Sequence, residues 1–171
     1  MKCKDTPAGA TVLWAYTHPG EMVKEQDYPY LNMNTNLTCP KDIKRFKSNV
    51  TVTDALSDFF CDEEKLKELV VKYGAVETGM FSNDESFHQL RTGEIYQSCS
   101  SKNQTHSVVV VGYGVENEVP FWKVKNSWGT NWGDKGFFRI IRGRGECGIG
   151  SKCTVAECGE GFKNNHTSKA V

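Results

Sequence analysis

Thr105-His106-Ser107-Val108-Val109-Val110-Val111-Gly112-Tyr113-Gly114 is an apolar run entered by a histidine and closed by Gly-Tyr-Gly; further on, Phe121-Trp122-Lys123-Val124-Lys125 leads into Asn126-Ser127-Trp128-Gly129. The two stretches predict neighbouring strands with His106 and Asn126 at adjacent ends. Such a pair is a general base beside its orienter. A neutral imidazole needs an acceptor on one nitrogen to fix the tautomer that leaves the other free to take a proton, and an amide oxygen can serve. Trp128 and Trp132 are placed to roof the pair against water. Ser107 and Ser127 adjoin the pair in sequence, but strand alternation turns them to the opposite face. No Gly-X-Ser-X-Gly elbow is present to set a serine nucleophile on a strained turn. A lone histidine at a strand start is more often structural than catalytic, so the weight falls on the second block.

Asn126-Ser127-Trp128-Gly129-Thr130-Asn131-Trp132-Gly133, taken with the histidine block, resembles the papain family of cysteine peptidases, whose histidine and asparagine segments it matches almost letter for letter. The resemblance extends upstream through Asp27-Tyr28-Pro29-Tyr30, Cys39, Gly74-Ala75-Val76 and the run from Phe87 to Tyr96. Downstream it takes in Gly136-Phe137-Phe138-Arg139-Ile140 and Glu146-Cys147-Gly148-Ile149, so that it covers roughly residues 3 to 152. It implies an α+β, papain-like fold: an antiparallel β-barrel right-hand domain with a remnant of the helical left-hand domain. It implies peptide hydrolysis by a thiol nucleophile, with His106 as base, Asn126 as orienter, a peptide or protein as substrate and no cofactor or metal. Gly79, Ser107 and Lys152 fall where relatives line the pocket for the residue two before the scissile bond, and Trp128 is counted with the substrate-binding residues. A lysine there points to an acidic or polar preference, the alternative being that Lys152 snorkels to solvent. Thr105 stands where many relatives carry Asp or another residue, a change expected to tune rather than abolish.

The nucleophile is what the resemblance does not supply. In the family it sits in a Cys-Gly-Ser-Cys-Trp-like segment about 130 to 150 residues before the histidine and asparagine. His106 has 105 residues before it, and none of the seven cysteines stands in that context. The cysteine is expected before Met1, together with the glutamine that helps form the oxyanion hole. Cys3-Lys4-Asp5-Thr6 replaces a family Cys-Asn-Gly-Gly turn whose glycines let backbone approach the substrate as an added strand, which puts substrate binding along that wall in doubt.

A chain of 171 residues, 38% hydrophobic and 11% aromatic, has enough apolar surface for a substantial core. With 21 basic and 21 acidic residues it has no net charge to draw it to nucleic acid or an anionic membrane, and Lys41 to Lys47 read as a solvated face. No stretch reaches the roughly 20 apolar residues of a membrane span, and the amino terminus lacks a secretory pattern. Sequons at Asn36, Asn49, Asn103 and Asn165, with the high cysteine content, suit glycosylation in an oxidising compartment. With the family likeness they point to an extracellular or lysosomal parent protein.

In chain order, residues 1–42 read as the left-hand remnant, 43–158 as the barrel domain and 159–171 as a flexible tail. Ala8 to Tyr16 presents a helical apolar face ended by Thr17-His18-Pro19-Gly20. The family's central helix that would cover this face is not in the sequence, which predicts poor solubility in isolation. Ile43 to Val52 is extended in character, and Cys61 to Tyr73 is an amphipathic helix with Leu66, Leu69 and Val70 on one face, acidic residues at its start and Gly74 closing it. Ala75 to Phe81, Val108 to Tyr113, Phe121 to Lys125 and Phe137 to Arg142 read as strands. Everything from Cys153 onward is expected to fray.

By resemblance Cys99 pairs with Cys147, a bridge that would contribute about 4 kcal/mol for a loop of that length. Cys3 and Cys39 correspond to cysteines whose partners lie outside this sequence, so they are unpaired or pair with each other. Cys61, Cys153 and Cys158 have no assignment, and a metal site is disfavoured for want of a second ligand pair. Three functions follow: a peptidase whose nucleophile is encoded upstream, a non-catalytic binding or decoy module, and one half of an assembly completed by a separate chain carrying the missing helix.

Overall fold

The computed structural model describes residues 16–18, 23–29, 42–45, 50–58 and 60–160. Most of the expected Ala8–Tyr16 helix, and Cys3 and Cys39, lie outside them. The chain divides into two compact units, Met1–Ala55 with Glu157–Val171, and Leu56–Ala156.

The described elements are β1 (Val50–Asp58), α1 (Glu63–Tyr73), β2 (Val76–Met80), α2 (Glu85–His88), β3 (Ile95–Tyr96), β4 (His106–Glu116), β5 (Val119–Lys125), β6 (Phe137–Ile141), a single 3-10 turn (Glu146–Gly148) and β7 (Cys153–Glu160). Seven strands form one sheet in the order β1-β7-β2-β4-β5-β6-β3. The β7/β2, β2/β4, β4/β5 and β5/β6 pairs are antiparallel, and β3 lies parallel to β6. With two helices beside it among the described residues, this is the α+β class that the resemblance implies.

Helix α1 begins because Asp62 accepts the Lys65 N–H (2.7 Å) as its N-cap, with Glu63 and Glu64 in the first turn where the helix dipole favours negative charge. It ends at Gly74, whose φ of 79° suits a residue without a Cβ. Its apolar stripe, Leu66, Leu69 and Val70, is buried, and the helix packs on β4 and β2. Period-2 alternation supplies the facing layer: Val108 and Val110, Trp122 and Val124, Phe138 and Ile140 are buried. Fully burying each such side chain stabilises the fold by roughly 1.5–3 kcal/mol against leaving it exposed.

A bulge between Val110 and Gly112 shifts the β4/β5 register, so that Val110 faces Val124 while Gly112 faces Lys123. Past the bulge Tyr113 meets Trp122 edge-on at 5.9 Å, and a Cβ on Gly114 would stand 2.7 Å from the Phe121 ring.

Two expectations need correcting. Of the expected Ile43–Val52 segment, residues 43–45 are not in a strand, 46–49 lie outside the described residues, and Val50–Val52 belong to β1, which runs on to Asp58. This strand lies at the sheet edge, where exposed Thr53 and Asp54 are tolerated, and the Thr53 hydroxyl donates to the Glu157 carbonyl (3.1 Å). The segment from Cys153 does not fray before Glu160. It is β7, paired to β2 through Glu77–Thr154 and Thr78–Cys153 and tied down by a Cys61–Cys153 disulfide. The Cys99–Cys147 bridge is present as expected.

Candidate active site

Strand β4 starts at His106, which stands opposite Met80 of β2, and the preceding residue is pinned by its N–H to the Met80 carbonyl (2.9 Å). The Thr105 hydroxyl accepts the Ser82 N–H (3.1 Å) and donates to Asn83 Oδ1 (3.2 Å). His106 shares its strand face with Val108 and Val110, both buried, whereas Ser107 is exposed on the other face. Asn126 follows β5 directly, is 8% exposed, and donates its backbone N–H to the Gly136 carbonyl (2.9 Å).

His106 Nε2 and Asn126 Oδ1 are 2.8 Å apart. Oδ1 also accepts the Ser127 N–H at 2.8 Å, which identifies that atom as the oxygen of the amide. An oxygen holding two donors requires Nε2 to carry the ring proton. The lone pair of the neutral ring is therefore on Nδ1, which has no hydrogen-bond partner among the described residues. Asn126 Nδ2 is buried without a partner among the described residues, so the amide is held by its oxygen alone.

Trp128 is the roof. Its ring lies 5.2 Å from His106, and His88 stacks on it at 4.7 Å with the planes 20° apart. Trp132 does not contact the imidazole. It meets Trp128 edge-on at 5.0 Å and donates its indole N–H to the His88 carbonyl (3.0 Å), bracing the roof from behind. Phe87, wholly buried, touches Trp128, Trp132 and Phe138.

Gly79 and Ser107 are cross-strand partners. Lys152 is exposed, and its carbonyl accepts the Thr78 hydroxyl (2.7 Å). One residue at this place escaped the sequence reading. The Gln104 carboxamide lies directly on Gly79, so close that a Cβ there would be 2.5 Å from Gln104 Cδ. Its Nε2 is within 3.1 Å of the Gly79 carbonyl, 3.2 Å of the Gly148 carbonyl and 2.8 Å of Ser151 Oγ. Gln104 therefore fills the space that a glycine at position 79 would otherwise leave open.

Beside the site, Asp84 accepts the hydroxyl and the backbone N–H of Ser100, which hold its carboxyl below the ordinary aspartate value. Burial pushes the Tyr96 phenol up, and its hydroxyl lies 3.0 Å from Ser86 Oγ and 3.3 Å from Asp84 Oδ2. In the unit that contains His106, all four cysteines are oxidised in disulfides; among the described residues Cys158 keeps a free thiol. No cluster of three or more metal-ligating side chains occurs among the described residues.

Residues 4–157 match the profile of the papain family of cysteine proteases. The chain is 35% identical over 139 residues to a viral cathepsin of Epiphyas postvittana nucleopolyhedrovirus, covering 81% of this chain and 41% of that relative. It is 38% identical over 126 residues to cathepsin S of Bos taurus, covering 73% of this chain and 37% of that protein. Among solved structures, a digestive procathepsin L2 proteinase from Tenebrio molitor larval midgut superposes with a TM-score of 0.72 at 30% identity, over 86% of this chain and 46% of that one. The chain thus spans about two fifths of the length of these curated relatives.

Proposed function

The chain belongs to the papain family of cysteine proteases, and from that membership we propose that it supplies the base and orienter of a peptidase whose thiol comes from polypeptide outside these 171 residues. The observation that carries the reading is the doubly held Asn126 oxygen, which leaves His106 Nδ1 as the unprotonated nitrogen. A thiol brought to Nδ1 gives up its proton to form a thiolate–imidazolium pair. The thiolate attacks a peptide carbonyl, and donors from outside this chain hold the oxyanion. As the tetrahedral adduct collapses, the C–N bond breaks and His106 returns the proton to the leaving amine. Water, deprotonated by the same nitrogen, then releases the acid and restores the thiol. Trp128 covers the His106–Asn126 bond from water throughout.

The same reading takes Gly79, Ser107 and Lys152, with Gln104 among them, as the surface met by the substrate residue two before the scissile bond. It assigns the protein to an extracellular or lysosomal compartment, supported by two disulfides and by an exposed sequon at Asn103; Asn36, Asn49 and Asn165 lie outside the described residues. No helix among the described residues is long and apolar enough to cross a membrane.

The test is a peptide-hydrolysis assay on residues 1–171 alone, and on the same chain mixed with a polypeptide carrying the helix and thiol of a relative. Hydrolysis is expected only on mixing, and is expected to vanish with His106→Ala. Hydrolysis by the chain alone that His106→Ala abolishes would overturn the external thiol. Silence on mixing would overturn the peptidase reading in favour of a non-catalytic binding module.

A further inference from the structure

On β5 and β6, together with residues 90–94 and the turn at Gly133 and Asp134, the molecule encloses a cavity of about 270 Å³ that the peptidase reading does not use. Leu90 and Phe138 form its buried floor, while Phe121 and Phe137 stand half-buried as its walls. On the same strands Trp122 and Phe138 are 0% and 3% exposed, so the two wall rings are left uncovered where their neighbours are not.

Charges ring the opening. Lys123 Nζ lies 5.6 Å from the Phe137 centroid, and the Arg139 guanidinium lies 5.1 Å from that of Phe121. Arg139 is committed to Glu116 (2.9 Å) and to the Gly93 carbonyl. Lys123 and Arg91 have no ion-pair partner among the described residues. Of the two lining carboxylates, Glu94 accepts the Arg91 N–H (3.0 Å), while the Asp134 side chain is bonded to nothing among the described residues.

An aromatic slot with two cations outside any ion pair among the described residues, Lys123 and Arg91, and one uncommitted anion, Asp134, matches a small zwitterion. Its volume lies below the roughly 300–1,000 Å³ that drug-sized ligands occupy, which suits an occupant of single-residue size. We propose that this cavity binds a free amino acid with an apolar or aromatic side chain. The side chain lies on Phe121 and Phe137, the carboxylate meets Lys123 and the ammonium meets Asp134. Phe138, whose ring lies on the core face of β6, packs on Trp132 at 5.7 Å, beside Gly133 and Asp134 of the cavity lining.

The test is titration of the isotopically labelled chain with L-phenylalanine, read on the indole N–H of Trp132 and the backbone amides of Gly133 and Phe137. A saturable shift is expected. Lys123→Gln and Asp134→Asn, both at exposed side chains, should each raise the half-saturating concentration roughly tenfold, the scale of one charge-assisted bond. N-acetyl-L-phenylalaninamide, which lacks both charges, should not bind. No saturable shift, equal binding of the uncharged analogue, or a Lys123→Gln chain with unperturbed amide dispersion that titrates like the parent would each overturn the proposal. None of these outcomes depends on whether the chain takes part in peptide hydrolysis.

Discussion

At the scale of single residues, the Asn126 carboxamide holds the site together, because one oxygen serves both the imidazole and the Ser127 backbone. Asn126→Ala leaves the Ser127 N–H and His106 Nε2 without that acceptor. The expected cost is about 1–3 kcal/mol of stability, read by chemical denaturation. Ring-nitrogen NMR should show a single Nε2–H tautomer in the parent chain and a mixture of tautomers in the variant. Gln104 makes a sharper test, since it and Gly79 occupy one another's space. Gly79→Ala has to displace the carboxamide from its three acceptors, at a cost of about 1–3 kcal/mol. Adding Gln104→Ala to it should cost less than the two single changes summed, by about 1 kcal/mol or more in a double-mutant cycle. Strict additivity would show that the two residues do not share this space. His106 and Asn126 were legible because each sits inside a contiguous motif. Gln104 was not, because a glutamine two residues before a histidine carries no signal until cross-strand pairing sets it on Gly79.

At the scale of elements, one carboxylate ties the start of α2 to the segment that follows β3. Asp84 takes two donors from Ser100 and a third from Tyr96, and its carboxyl lies below the ordinary value of about 3.9. A carboxyl lowered on folding stabilises the loop fully above that ordinary value and ceases to do so as the pH falls through the lower folded one. The Ser100 amide resonance should therefore hold its position down to about pH 4 and move below it. Asp84→Asn should remove that acid step and leave the resonance displaced at neutral pH. The same scale shows where periodicity informed and where it failed. Helix α1 and strands β2, β4, β5 and β6 were legible because apolar residues recur at 3.6 or 2 positions against a single core. Strand β1 was not followed past Val52 and β7 was read as tail, because Thr-Asp-Ala-Leu-Ser-Asp and Ala-Glu-Cys-Gly-Glu carry little alternation. Their extended state comes from pairing between distant segments, as in the Thr53 hydroxyl on the Glu157 carbonyl, and no local pattern encodes that.

At the scale of the whole molecule, the covalent links decide which environment the fold tolerates. Cys99–Cys147 closes a separation of 48 residues between the turn after β3 and the 3-10 turn, and Cys61–Cys153 closes 92 residues from the start of α1 to β7. The second link was invisible in the sequence, because seven cysteines admit many pairings and spacing alone does not choose among them. Yet it spans the longer loop, and loop-closure entropy grows with the logarithm of that length, so its expected contribution is about 4–5 kcal/mol. Domains of this size are stable by about 5–15 kcal/mol in all. Converting Cys61 and Cys153 to alanine together should therefore remove a large share of the stability, measured as a fall in the urea midpoint followed by tryptophan fluorescence. Losing both bridges to a reductant should unfold Leu56–Ala156 in the absence of denaturant. A midpoint unmoved by the double change would mean that β7 is held by its strand pairing alone. The placement in an oxidising compartment would then rest on Cys99–Cys147 and the Asn103 sequon, since the longer link would be dispensable.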